Sequence, residues 1–70
     1  MDIKNKELIN ILQDWERDFR GAIDVEEFNS ESELIETLRD ELLPLWINDN
    51  NTQLEDKLLY KEYLERLKKL

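Results

Sequence analysis

Apolar residues recur at helical spacing in three separate segments of the chain. In the first, from about Asp2 to Arg20, placing residues at about 100° per step collects the apolar side chains on one stripe. The members of this stripe are Leu8, Ile11, Leu12, Trp15, Phe19 and Ala22. Gly21 follows at the point where a residue in the left-handed conformation would end a helix. The pattern predicts a first amphipathic helix that ends at Gly21.

The second apolar segment begins at a capping signal and contains the only proline. Ser30 and Glu33 have the spacing of a capping box, in which two side chains satisfy backbone N–H groups at the start of a helix. The apolar seam predicted behind it is Ile35, Leu38, Leu42, Leu45 and Trp46. Pro44 lacks an N–H, and its ring crowds the carbonyl group of Asp40. We therefore expect a kink at Pro44, or a break with Pro44 at the first position of a new turn.

The third apolar segment follows an asparagine-rich loop at residues 48–51. Thr52 and Glu55 have the spacing of a second capping box. The stripe behind them is Leu59, Tyr60, Tyr63, Leu64, Leu67 and Leu70. Three helices with short connections most simply form an antiparallel bundle. The sequence therefore predicts an all-α single domain over residues 1–70, a small antiparallel three-helix bundle whose second helix is kinked or broken at Pro44.

Several kinds of chemistry are excluded by residue types that the chain lacks. Its 70 residues include no cysteine and no histidine, so thiolate nucleophiles, disulfides and the commonest general base and zinc ligand are absent. A single glycine leaves no glycine-rich phosphate loop. Both serines, Ser30 and Ser32, lie at the predicted helix cap, away from any base that could activate them. We expect a protein that is not an enzyme and that holds no cofactor or metal.

Membranes and nucleic acids are also disfavoured as partners. The longest uncharged run, residues 42–48, is far shorter than the roughly 20 residues of a membrane-spanning helix. Asp2 and Glu7 do not fit a secretory signal, so we expect a cytoplasmic location. The only basic cluster is Lys68 and Lys69 with Arg66 nearby, which is too small for phosphate recognition. Frequent Asn, Lys and Ile are typical of AT-rich coding, as in low-GC bacteria and their phages.

The net charge of −8 belongs almost entirely to the middle of the chain. Residues 1–20 carry four basic and five acidic groups, and residues 51–70 carry five basic and four acidic groups. Between them, residues 21–50 carry nine acidic groups and one basic group, Arg39. The nine are Asp24, Glu26, Glu27, Glu31, Glu33, Glu36, Asp40, Glu41 and Asp49. The flanking helices balance their charges, and the middle segment does not.

This imbalance predicts a binding surface for a basic partner. Glu33, Glu36 and Asp40 fall opposite the apolar seam, so we expect them to be dispensable for folding. The six acidic residues of the predicted surface are Glu26, Glu27, Glu31, Glu33, Glu36 and Asp40. Such a surface speeds the encounter with a basic protein, which indicates a small inhibitor or regulator; nucleic-acid mimicry is a narrower form of this hypothesis. The alternative is a solvated face that only confers solubility.

Three leucines lie away from the predicted seams. Leu43 is off the seam of the second helix, and Leu54 and Leu58 are one turn apart on the third, off its main stripe. One interpretation is that a bundle needs wide apolar faces and that the chain turns Leu43 inward near Pro44. The other is a second contact surface. In that case the protein is a homo-oligomeric structural protein, a homodimer for example, that pairs through Leu54 and Leu58, or these leucines contact another partner.

Residues 16–28 carry a metal-binding pattern. The residues that match it are Asp18 at the third position, Gly21 at the sixth, Ile23 at the eighth, Asp24 at the ninth and Glu27 at the twelfth. With these spacings the segment resembles a calcium-binding EF-hand loop, which implies a calcium-responsive protein as a second alternative. The segment departs from the EF-hand pattern at two ligand positions, where Glu16 stands first and Arg20, a cation, stands fifth. Past Phe28 the apolar residues of an exiting helix are missing, and no second loop of this type follows.

Overall fold

The computed structural model describes all 70 residues, and every regular element in it is helical. The four α-helices are α1 at Lys6–Phe19, α2 at Glu31–Thr37, α3 at Leu43–Asn48 and α4 at Leu54–Lys68. A short 3-10 turn spans Val25–Glu27, and a π-helical segment at Leu38–Leu42 joins α2 to α3. Residues 31–48 thus form one continuous middle helix. The predicted all-α, three-helix bundle is confirmed, and no helix is both long and apolar enough to cross a membrane.

A core of seven side chains joins the three helical segments. The buried residues are Leu8, Ile11, Leu34, Leu38, Leu43, Tyr63 and Leu67. The first and third stripes supply Leu8, Ile11, Tyr63 and Leu67, as their periodicity predicts. In the middle helix only Leu38 belongs to both the predicted seam and the buried core. Burying a leucine side chain contributes about 1.5–3 kcal/mol, so this small core dominates the stability of the chain.

The middle helix departs from the predicted seam because its π-helical segment shifts the register. The N–H of Leu43 donates to the carbonyl of Leu38, five residues back, which inserts one extra residue into that turn. The residues that follow are displaced by one position around the helix. Leu43 is therefore buried with 1% of its surface exposed, and Leu45, predicted for the seam, is 63% exposed. The assignment of Leu45 to the seam is wrong, and Leu43 turns inward.

Pro44 is the second residue of α3, and only Leu43 separates it from the π-helical segment. A proline cannot donate the backbone hydrogen bond that an α-helix interior requires, and the wider turn before it lies where that bond would be missing. The backbone remains helical from residue 31 to residue 48, so the chain is not broken there. A kink at Pro44 is not confirmed.

The two predicted capping boxes have different outcomes. The Ser30 Oγ accepts the N–H of Glu33 at 3.2 Å, and the Glu33 carboxylate accepts the N–H of Asn29 at 2.6 Å. The first box therefore forms, with its glutamate reaching one residue further back than the standard arrangement. The second box is wrong. Helix α4 begins at Leu54 after Gln53, and no side chain caps its first turn.

Helix α1 is shorter than predicted at its start. Asn5 caps it by accepting the N–H groups of Glu7 and Leu8 at 3.0 and 3.2 Å, so the helix begins at Lys6 and not near Asp2. At the other end the left-handed residue is Arg20, with φ of 53°, and not Gly21. The chain leaves the helix one residue early, and Ala22, predicted for the apolar stripe, is exposed.

Polar contacts at the rim of the core tie α4 to α1. The Tyr63 hydroxyl donates to Asp18, and Arg66 Nη1 donates to Asp14 Oδ2 at 2.8 Å. Trp15 lies at the centre of an adjoining aromatic cluster, with ring centroids 4.7 Å from Phe19 and 5.4 Å from Trp46. These contacts place the C-terminal half of α4 along α1. The acidic residues of these contacts, Asp14 and Asp18, therefore have partners within the fold.

The Asp18 contacts predict a specific loss of stability in acid. Hydrogen bonds from Tyr63 and Arg17 lower the pKa of the Asp18 carboxyl below its usual 3.8. A carboxyl whose pKa is depressed by folding stabilises the native state above its unfolded pKa, and this contribution disappears as pH falls through the folded value. We expect Asp18→Asn to flatten the decline in melting temperature below pH 3.8. Circular dichroism melts measure it, with Glu16→Gln as the control; identical pH profiles for Asp18→Asn and the parent would contradict the assignment.

Candidate functional site

The acidic segment at residues 21–50 divides into carboxylates that are used within the fold and carboxylates that are free. Six of the nine accept hydrogen bonds or form ion pairs inside the chain: Asp24, Glu26, Glu31, Glu33, Asp40 and Asp49. The other three, Glu27, Glu36 and Glu41, are exposed and have no partner in the chain. The predicted acidic surface therefore has fewer unpaired carboxylates than the sequence indicates.

Glu26 and Glu31 hold the N-terminal residues against the bundle. Both carboxylate oxygens of Glu26 accept from the Met1 ammonium group at 2.8 Å, which raises the pKa of that amine. The Glu31 Oε1 accepts the backbone N–H groups of Lys4 and Asn5 at 2.5 and 2.9 Å. Met1 and Ile3 pack against the core from this segment. Two residues predicted to bind a partner thus already have structural contacts.

Glu33 and Asp40 also have contacts within the fold. Glu33 satisfies the Asn29 N–H at the start of α2, as described above. Asp40 forms a two-point contact with Arg39, with both N–O distances at 2.8 Å, and this hydrogen bonding lowers the pKa of Asp40. The only cation of the segment is thereby paired with its neighbour in sequence. Glu36 alone of the three outward carboxylates is without a partner, so replacing all three would change the fold contacts together with the surface charge.

Glu41 is a free carboxylate that the sequence pattern did not assign to this surface. In an uninterrupted helix it would lie at the edge of the apolar seam, on the side of Leu38 and Leu45. The π-helical segment moves the seam to Leu43, and Glu41 becomes exposed beside Asp40. The signal that could identify it is the position of Pro44, because a proline in a helix favours a widened preceding turn.

The three leucines outside the predicted seams have different positions. Leu43 is a core residue and is unavailable to a partner, so its assignment to a binding surface is wrong. Leu54 and Leu58 are exposed over 72% and 58% of their surface. Leu45 joins them as a large exposed apolar side chain. Three of the four large apolar residues that face solvent therefore lie on the outer faces of α3 and α4, and the fourth, Leu70, predicted for the apolar stripe, is 40% exposed just past the end of α4.

The segment that resembles an EF-hand loop does not gather its carboxylates. Asp18 lies inside α1 with Tyr63 and Arg17 as partners, and Asp24 accepts the N–H of Glu26 at 3.1 Å at the start of the 3-10 turn. Arg20 stands at the helix end with a left-handed backbone. No group of three or more acidic side chains in the chain is arranged to hold a metal ion.

The surface of the folded chain contains no pocket. Comparisons with protein-family models, curated proteins and solved structures find no match to this chain. The surface features that remain for function are the free carboxylates around the middle helix and the exposed leucines of α3 and α4.

Proposed function

We propose that the protein is a small non-enzymatic regulator, acting in the cytoplasm, that binds a basic macromolecular partner through the acidic surface of its middle helix. The observation that carries this proposal is the set of three unpaired, exposed carboxylates Glu27, Glu36 and Glu41. They belong to a segment whose single cation, Arg39, is already paired with Asp40. The Arg39 guanidinium donates its hydrogen bonds to Asp40, and among the three it has only a longer-range electrostatic attraction to Glu36.

Electrostatics supports a basic partner over a neutral one. The segment as a whole remains strongly negative although six of its carboxylates have contacts within the fold. It contains nine acidic groups and one basic group. Their field extends over about a Debye length, near 10 Å at moderate salt, and attracts a complementary surface before contact. The free carboxylates then form the direct ion pairs, since they lose no contact of the fold when they bind.

The exposed Leu45 gives this surface an apolar contact at one end. It follows Glu41 by one helical turn and is 63% exposed. Interfaces combine a desolvated apolar contact with a polar rim, so a partner with an apolar residue beside its cations would fit better than a purely cationic one. A protein surface that binds nucleic-acid phosphates has the required cations, and covering such a surface would make the chain an inhibitor that mimics nucleic acid.

The three free carboxylates can be tested against three matched ones. The triple variant Glu27→Gln, Glu36→Gln, Glu41→Gln removes free charges from the middle segment. The control Glu7→Gln, Glu16→Gln, Glu55→Gln removes three exposed, unpartnered charges from α1 and α4, and each triple raises the net charge from −8 to −8 + 3 = −5. The parent and each variant are immobilised on a resin, which is then incubated with an extract of a low-GC bacterium at low and at high salt.

The expected result is a protein that the parent and the control triple retain at low salt and that the middle-segment triple releases. With that protein purified, its association with the middle-segment triple should be about tenfold slower than with the parent, and the salt dependence should be weaker. Circular dichroism should show equal folding of all three. Equal retention by both triples would contradict the proposal and leave the acidic segment as a solubility feature.

A further inference from the structure

Helix α4 presents an apolar stripe on the side that faces away from the bundle. At about 100° per residue, Leu54 and Leu58 lie nearly opposite Tyr63 and Leu67, the two α4 residues in the core. Leu54 is the most exposed of the large apolar residues, at 72%. Nothing in the fold covers these two side chains, and they do not contribute to its core.

Charged residues of opposite sign flank the stripe on its two edges. At about 100° per residue, Lys57 lies on one edge and Glu55 and Glu62 lie on the other, whereas Lys61 and Glu65 follow the stripe itself about one and two turns past Leu58. None of these three edge residues forms an ion pair within the chain. A face with one basic edge and one acidic edge is complementary to a second copy of itself when the two helices run in the same direction.

We propose that the outer face of α4 binds a second copy of this chain in a parallel, two-fold symmetric dimer. Leu54 and Leu58 of each copy meet at the centre, in the positions that form the seam of a coiled coil. Lys57 of one copy then faces Glu62 of the other copy, and symmetry forms this pair twice. An antiparallel arrangement would instead place each lysine edge against the lysine edge of the other copy, so the charges select the parallel one.

The charge distribution of the whole molecule is compatible with this arrangement. Residues 51–70 carry a net charge of 5 − 4 = +1, whereas the excess of −8 lies in residues 21–50. Because the stripe faces away from the core, pairing through it holds the two middle helices apart on opposite sides of the dimer. The inference therefore does not rest on the proposed regulatory function, and the acidic surfaces of both copies stay free.

The size of the stripe sets the strength of the association. Two leucines and their flanking charges cover about two turns of helix, well below the roughly 800 Å² per partner of a standard interface. The dimer is therefore weak and in exchange with the monomer. Sedimentation equilibrium over a wide range of protein concentration should give a mass that rises from the 8.6 kDa of one chain toward twice that value.

Leucine and charge variants test both parts of the proposal. Leu54→Lys with Leu58→Lys should remain folded and monomeric at every concentration, and Leu45→Lys, an exposed leucine on α3, should dimerise like the parent. Lys57→Glu alone and Glu62→Lys alone should each weaken dimerisation about fivefold, and the combination should restore it. Circular dichroism confirms that each variant is folded.

Three outcomes overturn the proposal. A parent that stays monomeric at the highest concentration removes the dimer. A parent that dimerises equally well after the double leucine substitution places the interface elsewhere. A combined charge swap that is as weak as its single members removes the parallel orientation, because only that orientation brings Lys57 against Glu62.

Discussion

Leu43→Ala should leave a large fraction of the protein unfolded, whereas Leu45→Ala should leave its stability unchanged. Leu43 is 1% exposed, and truncating a fully buried leucine removes about 2–5 kcal/mol through lost burial and the cavity that remains. A domain of this size has a free energy of unfolding of about 3–5 kcal/mol, so the loss is comparable with its whole stability. Leu45 is 63% exposed and contributes little to the core. Urea denaturation followed by tryptophan fluorescence and circular dichroism measures both.

This pair of variants also tests the register of the middle helix. In an uninterrupted α-helix, Leu45 would belong to the seam with Leu38 and Leu42, and Leu43 would face solvent. The π-helical segment at Leu38–Leu42 reverses these roles. If Leu45→Ala proves more destabilising than Leu43→Ala, the helix has no inserted residue and the core assignment of the structure is wrong.

The fold class could be predicted from the sequence because it depends on periodicity that is repeated over many residues. In α1 and α4 the stripes are uninterrupted, and Leu8, Ile11, Tyr63 and Leu67 all lie in the core as their spacing indicates. In the middle helix one inserted residue is enough to change which leucine faces inward. Periodicity cannot locate such an insertion, since the pattern fits two registers and only the packing against α1 and α4 decides between them.

Helix ends depend on a choice between neighbouring residues that have similar chemistry. Ser30 caps α2 because its hydroxyl reaches the Glu33 N–H, whereas α4 starts after Gln53, one residue beyond the predicted Thr52 cap. At the end of α1 the left-handed conformation falls on Arg20, although Gly21 adopts it at lower energy. Local signals thus place the helix ends to within a few residues, and the tertiary contacts of the connecting segments fix the exact position.

The candidate surface was predictable as a segment but not as a set of residues. Counting charges is sufficient to assign the whole excess of −8 to residues 21–50. Which carboxylates stay free depends on contacts across the chain: Glu31 accepts from Lys4 and Asn5, which lie 27 and 26 residues away. Glu26 similarly pairs with the ammonium group of Met1. No sequence spacing indicates these partners. The path of the segment between α1 and α2 determines which carboxylates lie beside the N-terminal residues.

The division of the acidic residues predicts a large effect on stability for one substitution in α2 and almost none for another. Glu31→Ala should lower the free energy of unfolding by about 1–3 kcal/mol, because two backbone N–H groups next to the Asn5 cap lose a charged acceptor. Glu36→Ala should leave stability unchanged within about 0.5 kcal/mol, since Glu36 is exposed and has no partner. Both variants reduce the negative charge by one, so urea denaturation compares them at equal net charge.

A third variant separates the hydrogen bond from the charge. Glu31→Gln keeps an oxygen that can accept from Lys4 and Asn5 but is neutral, so its stability should fall between those of the parent and Glu31→Ala. Part of any loss also comes from the favourable position of a negative charge in the first turn of α2, and Glu31→Gln measures that part together with the weaker acceptor. If Glu31→Ala is as stable as Glu36→Ala, Glu31 does not hold the N-terminal residues in place. It would then join Glu27, Glu36 and Glu41 as a carboxylate free to bind a partner.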